Sequence, residues 1–140
     1  MSIQPRFDIG NEGTPPIDFV CYDRIIRDRG SVYSVSVGQV YDRADISRFI
    51  KRVRAQTGYR KATHHSYAAR IAQSGVLYET KQDDGETGAG LVILRMLNSY
   101  GVRNGAVCVT RWYGGVKLHG DRFTHVQDAT VYALQQFHQV

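Results

Sequence analysis

The sequence predicts an α+β two-layer sandwich, with helices on one face of a mixed sheet. Three observations lead there. Residues 31–40 and 62–73 alternate with the period of two that suits a half-buried strand. Ile46, Phe49, Ile50 and Val53 stand at the i, i+3, i+4, i+7 spacing of one apolar helical stripe. The segments follow one another as strand, helix, two strands, helix, strand, helix, an order that suits helices laid against a sheet.

Each element has its own local signals. The first 22 residues, broken by Gly10, Gly13, Pro15 and Pro16, read as an irregular arm, and residues 23–140 as one domain. Residues 23–29 form a short strand leading to a turn at Gly30. In residues 31–40, Tyr33, Val35 and Val37 share one face and Ser34 and Ser36 the other. Asp42 or Asp45 starts the first helix, and Gly58 ends it. In residues 62–73, His65, Tyr67, Ala69 and Ile71 point one way and His64, Ser66, Ala68 and Arg70 the other. Ser74 and Gly75 turn this strand into a return strand, residues 76–80, which makes an antiparallel hairpin. A second helix spans about residues 87–100 and closes at Gly101. Residues 106–110 are a short, wholly apolar strand, broken by Arg111-Trp-Tyr-Gly-Gly115. Asp121 caps a final helix with Phe123, Val126, Ala133, Leu134 and Phe137 inward.

Composition narrows the function. With 140 residues, 42% hydrophobic and 22% charged, the chain is an ordinary globular domain. No apolar run approaches the ~20 residues of a membrane helix. There is no apolar signal core at the start, so a cytoplasmic location is expected. Cys21 and Cys108 lie far apart and read as free thiols. The formal charge is +5; residues 1–80 hold 12 Lys/Arg against 8 Asp/Glu. That imbalance favours an acidic partner, a nucleic acid or an acidic protein face.

Three constellations carry chemistry. The first is Lys81-Gln-Asp-Asp-Gly-Glu-Thr-Gly-Ala-Gly90, a strand-to-helix corner holding Asp83, Asp84 and Glu86. Carboxylates suit a helix N-terminus, so this corner is a cap, a binding surface or a hard-cation site. Its spacing is not that of an EF-hand, and no P-loop lysine follows its glycines. The second is Ala62-Thr-His-His-Ser-Tyr-Ala-Ala-Arg70. Its neighbouring histidines point to opposite faces and do not share a metal. The third, Arg111-Trp-Tyr-Gly-Gly115, combines a guanidinium fork with two aromatic faces, a set that docks on proteins or stacks on bases. Alternatively, Trp112 and Tyr113 anchor that loop in the core. No serine or cysteine has the base beside it that covalent catalysis needs. A basic stripe of Arg48, Lys51, Arg52 and Arg54, with Arg60 and Lys61 just after, is a solvated face or a phosphate-tracking one.

Together these residues resemble the IMPACT family, the domain shared by eukaryotic IMPACT translation regulators and bacterial YigZ proteins. The resemblance runs from about Ile25 to Phe137. It rests on Asp28-Arg-Gly-Ser31, Ala62-Thr-His64 with Tyr67, Ala68 and Arg70, Asp83-Asp-Gly-Glu-Thr87, and Arg111-Trp-Tyr-Gly-Gly115 with Leu118 and Asp121-Arg-Phe123. The Trp-Tyr form of the last motif is similar to the eukaryotic branch. His65 stands where the family commonly has Asn, and His119 where a glycine is usual. The resemblance implies a left-handed βαβ sandwich like domain IV of elongation factor G. It also implies a non-enzymatic regulator of translation that competes with the amino-acid-starvation kinase for that kinase's ribosome-associated activator, and so restrains phosphorylation of an initiation factor. Actin is a further implied partner.

Complete eukaryotic members carry an RWD domain ahead of this one, and the 22 residues before the match are expected to lack it. The expected function is therefore a translation-regulatory binding module without catalytic residues, metal, cofactor or membrane contact. Its expected partner-binding residues are Thr63, His64, Tyr67, Arg70, Asp83, Asp84, Glu86, Thr87, Arg111, Trp112, Tyr113, Gly114 and Gly115. The alternative is an RNA- or ribosome-binding domain that uses Arg48, Lys51, Arg52, Arg54, Arg60 and Lys61 with the Arg-Trp-Tyr loop.

Overall fold

The computed structural model describes residues 18–137. The elements are β1 (Phe19–Asp28), β2 (Ser31–Gln39), α1 (Arg43–Ala55), a single 3-10 turn (Tyr59–Lys61), β3 (His64–Gln73), β4 (Val76–Gln82), α2 (Ala89–Ser99), β5 (Asn104–Trp112) and α3 (Asp121–Gln136). The five strands lie in the order β1-β2-β5-β3-β4.

The α+β class holds, but every neighbouring pair is antiparallel, so the sheet is not mixed. The reason is interleaving. β2 and β3 run parallel but are separated by β5, and β4 and β5 run parallel but are separated by β3. Each parallel pair is joined through a helix, α1 in one case and α2 in the other. These helices lie on opposite faces of the sheet, and the crossovers travel across it in opposite directions. Because the β2/β3 pair also points opposite to the β4/β5 pair, one crossover is right-handed and the other left-handed, the rarer hand for such a unit.

Helices on both faces correct the expectation of one covered face. On one side, Tyr33, Val35, Val37, Ala68, Val107 and Val109 meet Ile93 and Leu97 of α2 and Val126, Ala129 and Ala133 of α3. On the other, Ala69, Ile71, Ala106 and Cys108 meet Ile46, Phe49 and Val53 of α1. The central strands are apolar on both surfaces, so each surface needs a cover. Each fully buried Val, Leu, Ile or Phe contributes roughly 1.5–3 kcal/mol.

Local signals explain most boundaries. Asp42 caps α1, its side chain accepting from the Asp45 N–H. Gly101 closes α2 with φ +64°, and the Val102 N–H bonds back to the Leu97 carbonyl at 3.0 Å. Several boundaries differ from the sequence reading: α1 ends at Ala55 with Gln56 as its C-cap and not at Gly58, and β4 runs on to Gln82. β1 begins at Phe19, inside the span expected to be irregular, while residues 1–17 of that span lie outside the described residues. β5 runs on to Trp112 because Arg111 and Trp112 stay in register with Tyr33 and Val32 of β2. Asp121 is the first residue of α3, not its cap; Gly120 takes that place, and the Asp121 carboxylate pairs with Arg29 at 2.5 Å.

Candidate functional site: the Glu86–Arg111 groove

The acidic corner divides its three carboxylates among three tasks. Asp83 caps α2 from outside the helix: its two oxygens accept the Gly88 and Gly90 N–H groups at 3.0 and 2.8 Å. Those N–H bonds hold the Asp83 carboxyl below its ordinary range. A Cβ on Gly90 would stand 2.9 Å from Asp83 Oδ1, so the cap needs glycine there. Asp84 ties the corner to β3, its carboxylate accepting the His65 N–H at 2.7 Å. Its carbonyl accepts from His64 Nδ1 at 2.8 Å, which places that ring's proton on Nδ1 in the neutral form. Glu86 turns inward and is 3% exposed. The three carboxylates thus do not converge.

Arg111 meets Glu86 from β5. Nη1 donates to both carboxylate oxygens at 3.0 Å, and Nη2 donates to Ser31 Oγ at 3.2 Å. The guanidinium carbon sits 5.4 Å from the ring centroids of Tyr33 and Tyr113. Ser31 Oγ also accepts the Gly114 N–H, and the Tyr113 N–H donates to Thr63 Oγ1 at 2.9 Å. The loop after β5 is thereby fastened to the two strands that flank β5, at the start of β2 and just before β3, while the Tyr113 side chain stays exposed.

A groove of about 440 Å³ opens over this arrangement. Thr63, His64, Glu86, Arg111 and Tyr113 of the expected set line it together. The other expected residues are placed elsewhere. Tyr67 lies on the opposite face, against the α1 core. Arg70 bonds Glu79 and the Val102 carbonyl at 2.9 Å. Asp83 and Asp84 are engaged as described, and Thr87 is exposed on the corner. Gly114 packs closely against the Gly30 backbone and Gly115 is exposed, and neither lines the groove. Trp112 also faces the α1 side: Nε1 donates to the Gly58 carbonyl, its ring meets Tyr59 edge-on at 4.9 Å, and Arg24 lies over it at 5.0 Å.

Lys117, His119 and Arg122 complete the groove, and sequence reasoning missed them as site residues. Their signal was their position, just after the Arg-Trp-Tyr motif and at the start of the last helix. His65, the other half of the histidine pair, is structural. It is buried, Nε2 donates to the Tyr59 carbonyl at 2.9 Å, and Nδ1 accepts from Thr110. Burial pushes its pKa below the ordinary histidine value.

The alternative basic surface lies across the sheet. Arg48 pairs with Asp45, and the Arg52 guanidinium lies 4.5 Å from the Phe19 ring. Lys51, Arg54, Arg60 and Lys61 are exposed. This face is separate from the Arg111 groove, so the helix and the whole Arg-Trp-Tyr loop do not form one surface.

Comparison with known proteins places this architecture. The family model described as Impact N-terminal domain matches residues 29–134. Protein IMPACT of Homo sapiens is 32% identical over 127 residues, covering 89% of this chain and 39% of that protein. The Saccharomyces cerevisiae IMPACT homolog is 35% identical over 103 residues, covering 72% and 40%. The chain thus spans less than half the length of these relatives. Among solved structures, the two-domain translational regulator Yih1 superposes with a TM-score of 0.59 at 29% identity, covering 97% of this chain and 53% of that one. A hypothetical protein with a TM-score of 0.71 at 23% identity shares the fold. On its sequence and its architecture alike, the chain belongs to the Impact N-terminal domain family.

Proposed function

We propose that this chain is a non-enzymatic, translation-regulatory binding module that docks on a translation-associated protein through the Glu86–Arg111 groove. One observation carries the reading: Tyr113 is held by a backbone bond to Thr63 and lies beside a guanidinium anchored by Glu86, yet leaves 45% of its surface open. A rigid, exposed aromatic next to an arginine is the kind of residue that dominates protein interfaces, because little freedom is lost on contact. The likeness to IMPACT proteins and to the translational regulator Yih1 supports a translation-associated partner. In this reading the partner is of the class of the starvation-kinase activator, encountered in the cytoplasm, with the ribosome and actin as further partners. No helix among the described residues is long and apolar enough to cross a membrane.

The test is affinity capture of the tagged protein from cell extract, with and without RNase, using wild type, Tyr113→Ala and the pair Lys51→Gln with Arg54→Gln. The reading expects a translation protein that survives RNase and is lost only with Tyr113→Ala. Loss of all translation material on digestion, or on changing Lys51 and Arg54, would replace it with an RNA-binding domain acting through α1.

A further inference from the structure

We infer that the groove is a receptor for an anionic side chain, carboxylate or phosphate, presented by a peptide segment of the docking partner. The inference rests on the docking reading and gives the partner's chemistry. Arg111, Lys117 and Arg122 bring three cations to the groove, against the single carboxylate of Glu86. That carboxylate is 3% exposed and is occupied by Arg111. It stands 3.9 Å from Arg122 Nη1, too far for a hydrogen bond. Among the described residues no acidic group pairs with Lys117, which is exposed. The Nε atoms of Arg111 and Arg122 are buried without a hydrogen-bond partner among the described residues. The groove therefore holds more positive charge than its one carboxylate balances, and an anionic oxygen ligand would complement it.

The geometry favours a peptide over a nucleic acid. A single strand requires a basic track along its backbone and a succession of aromatic faces. Here Tyr113 is the one Phe, Tyr or Trp among the groove's lining residues, beside the imidazoles of His64 and His119, and the basic face of α1 lies on the far side of the sheet. A short groove with one tyrosine at its rim fits one or two acidic side chains and a neighbouring apolar contact. Thr63 belongs to the rim, but its hydroxyl already accepts from Tyr113 and serves to position the loop.

The experiment is an amide-resolved NMR titration of the whole chain with three probes: a hexaglutamate peptide, the same peptide with one phosphoserine at its centre, and an oligouridylate. A hexaglutamine peptide is the control. The inference expects the two acidic peptides to shift the Gly85, Tyr113 and Gly115 amides. The stronger of them identifies the anion as carboxylate or phosphate. Lys117→Gln should weaken that binding by about tenfold, the loss of one charge-assisted contact, while Lys51→Gln leaves it unchanged. An equal response to hexaglutamine would overturn the inference, as would acidic peptides that perturb α1 instead or a response to the oligouridylate alone. If both acidic peptides fail while Tyr113→Ala still abolishes partner capture, the anion inference fails and the docking reading stands. If Tyr113→Ala captures normally, the docking reading fails instead.

Discussion

Both carboxylate oxygens of Glu86 lie 3.0 Å from Nη1 of Arg111, with the two side chains 3% and 5% exposed. This pair joins the corner before α2 to the end of β5, and each partner is expensive to leave alone, since an unpaired buried charge has no solvent to turn to. Glu86→Ala is expected to cost about 3–5 kcal/mol, and Glu86→Leu with Arg111→Met to recover most of that loss. Urea denaturation of the single and double variants checks it. A single-variant loss no larger than that of an exposed ion pair would mean that the guanidinium reaches water.

Asp83 stabilises α2 as a carboxylate. Asp83→Ala is expected to cost about 1 kcal/mol, the usual worth of a helix cap. Because the folded pKa is depressed, the contribution is present above the unfolded value near 4 and is lost as pH falls through the folded value. Thermal melts of wild type and Asp83→Ala should therefore differ at pH 7 and converge in strong acid. A constant gap across that range would show that the carboxylate charge is irrelevant.

His65 loses stability in the same direction as Asp83 but at higher pH. Its folded pKa is depressed by burial, so the unfolded chain takes up a proton first, near pH 6.5. Its share of stability is complete above that pH and declines below it. Comparing urea midpoints at pH 7.5 and 5.0, wild type should lose more on acidification than His65→Gln. Equal losses would assign the acid sensitivity to other groups.

Gly114 is required for contact and not for backbone angle. A Cβ there would lie 2.1 Å from the Gly30 carbonyl carbon and 2.4 Å from Ser31 N, both backbone atoms that cannot step aside. Gly114→Ala should destabilise by about 1–3 kcal/mol, as overpacking does, and displace Tyr113 with its loop. Gly120→Ala meets nothing within 4 Å and should be close to neutral. Chemical denaturation of the two variants gives the comparison, and similar values would remove the steric account.

Trp112 reports on the face that the groove does not use. It is the single tryptophan of the chain, set against Tyr59 beneath Arg24. Its fluorescence is expected to stay constant while partner or acidic peptide fills the groove, and Trp112→Phe to keep partner capture intact. A large emission shift on binding would place the contact on the α1 side.

Much of this was legible locally. The alternation of Tyr33, Val35 and Val37 with Ser34 and Ser36, the stripe on α1, the Asp42 cap and the hairpin at Ser74–Gly75 all depend on neighbours within a few positions. The sequence by itself therefore determined the elements and the three motifs, but not the exposed side of β2, whose Ser34 and Ser36 are buried. It even signalled burial on both faces, in the unbroken apolar run of residues 106–109, although an order of elements alone suggested a single covered face.

What only tertiary structure decided was which motif meets which. Arg111 and Trp112 are adjacent in the chain, yet one closes on Glu86 and the other on Gly58 across the sheet. Asp83 and Glu86 share one acidic turn, but one caps a helix and the other is buried beneath a groove. Lys117, His119 and Arg122 join His64 there through strand order and loop closure. Periodicity records which side of an element avoids water. The partner on that side is set by contacts between segments as far apart as Ser31 and Arg111, and these form only when the chain folds as a whole.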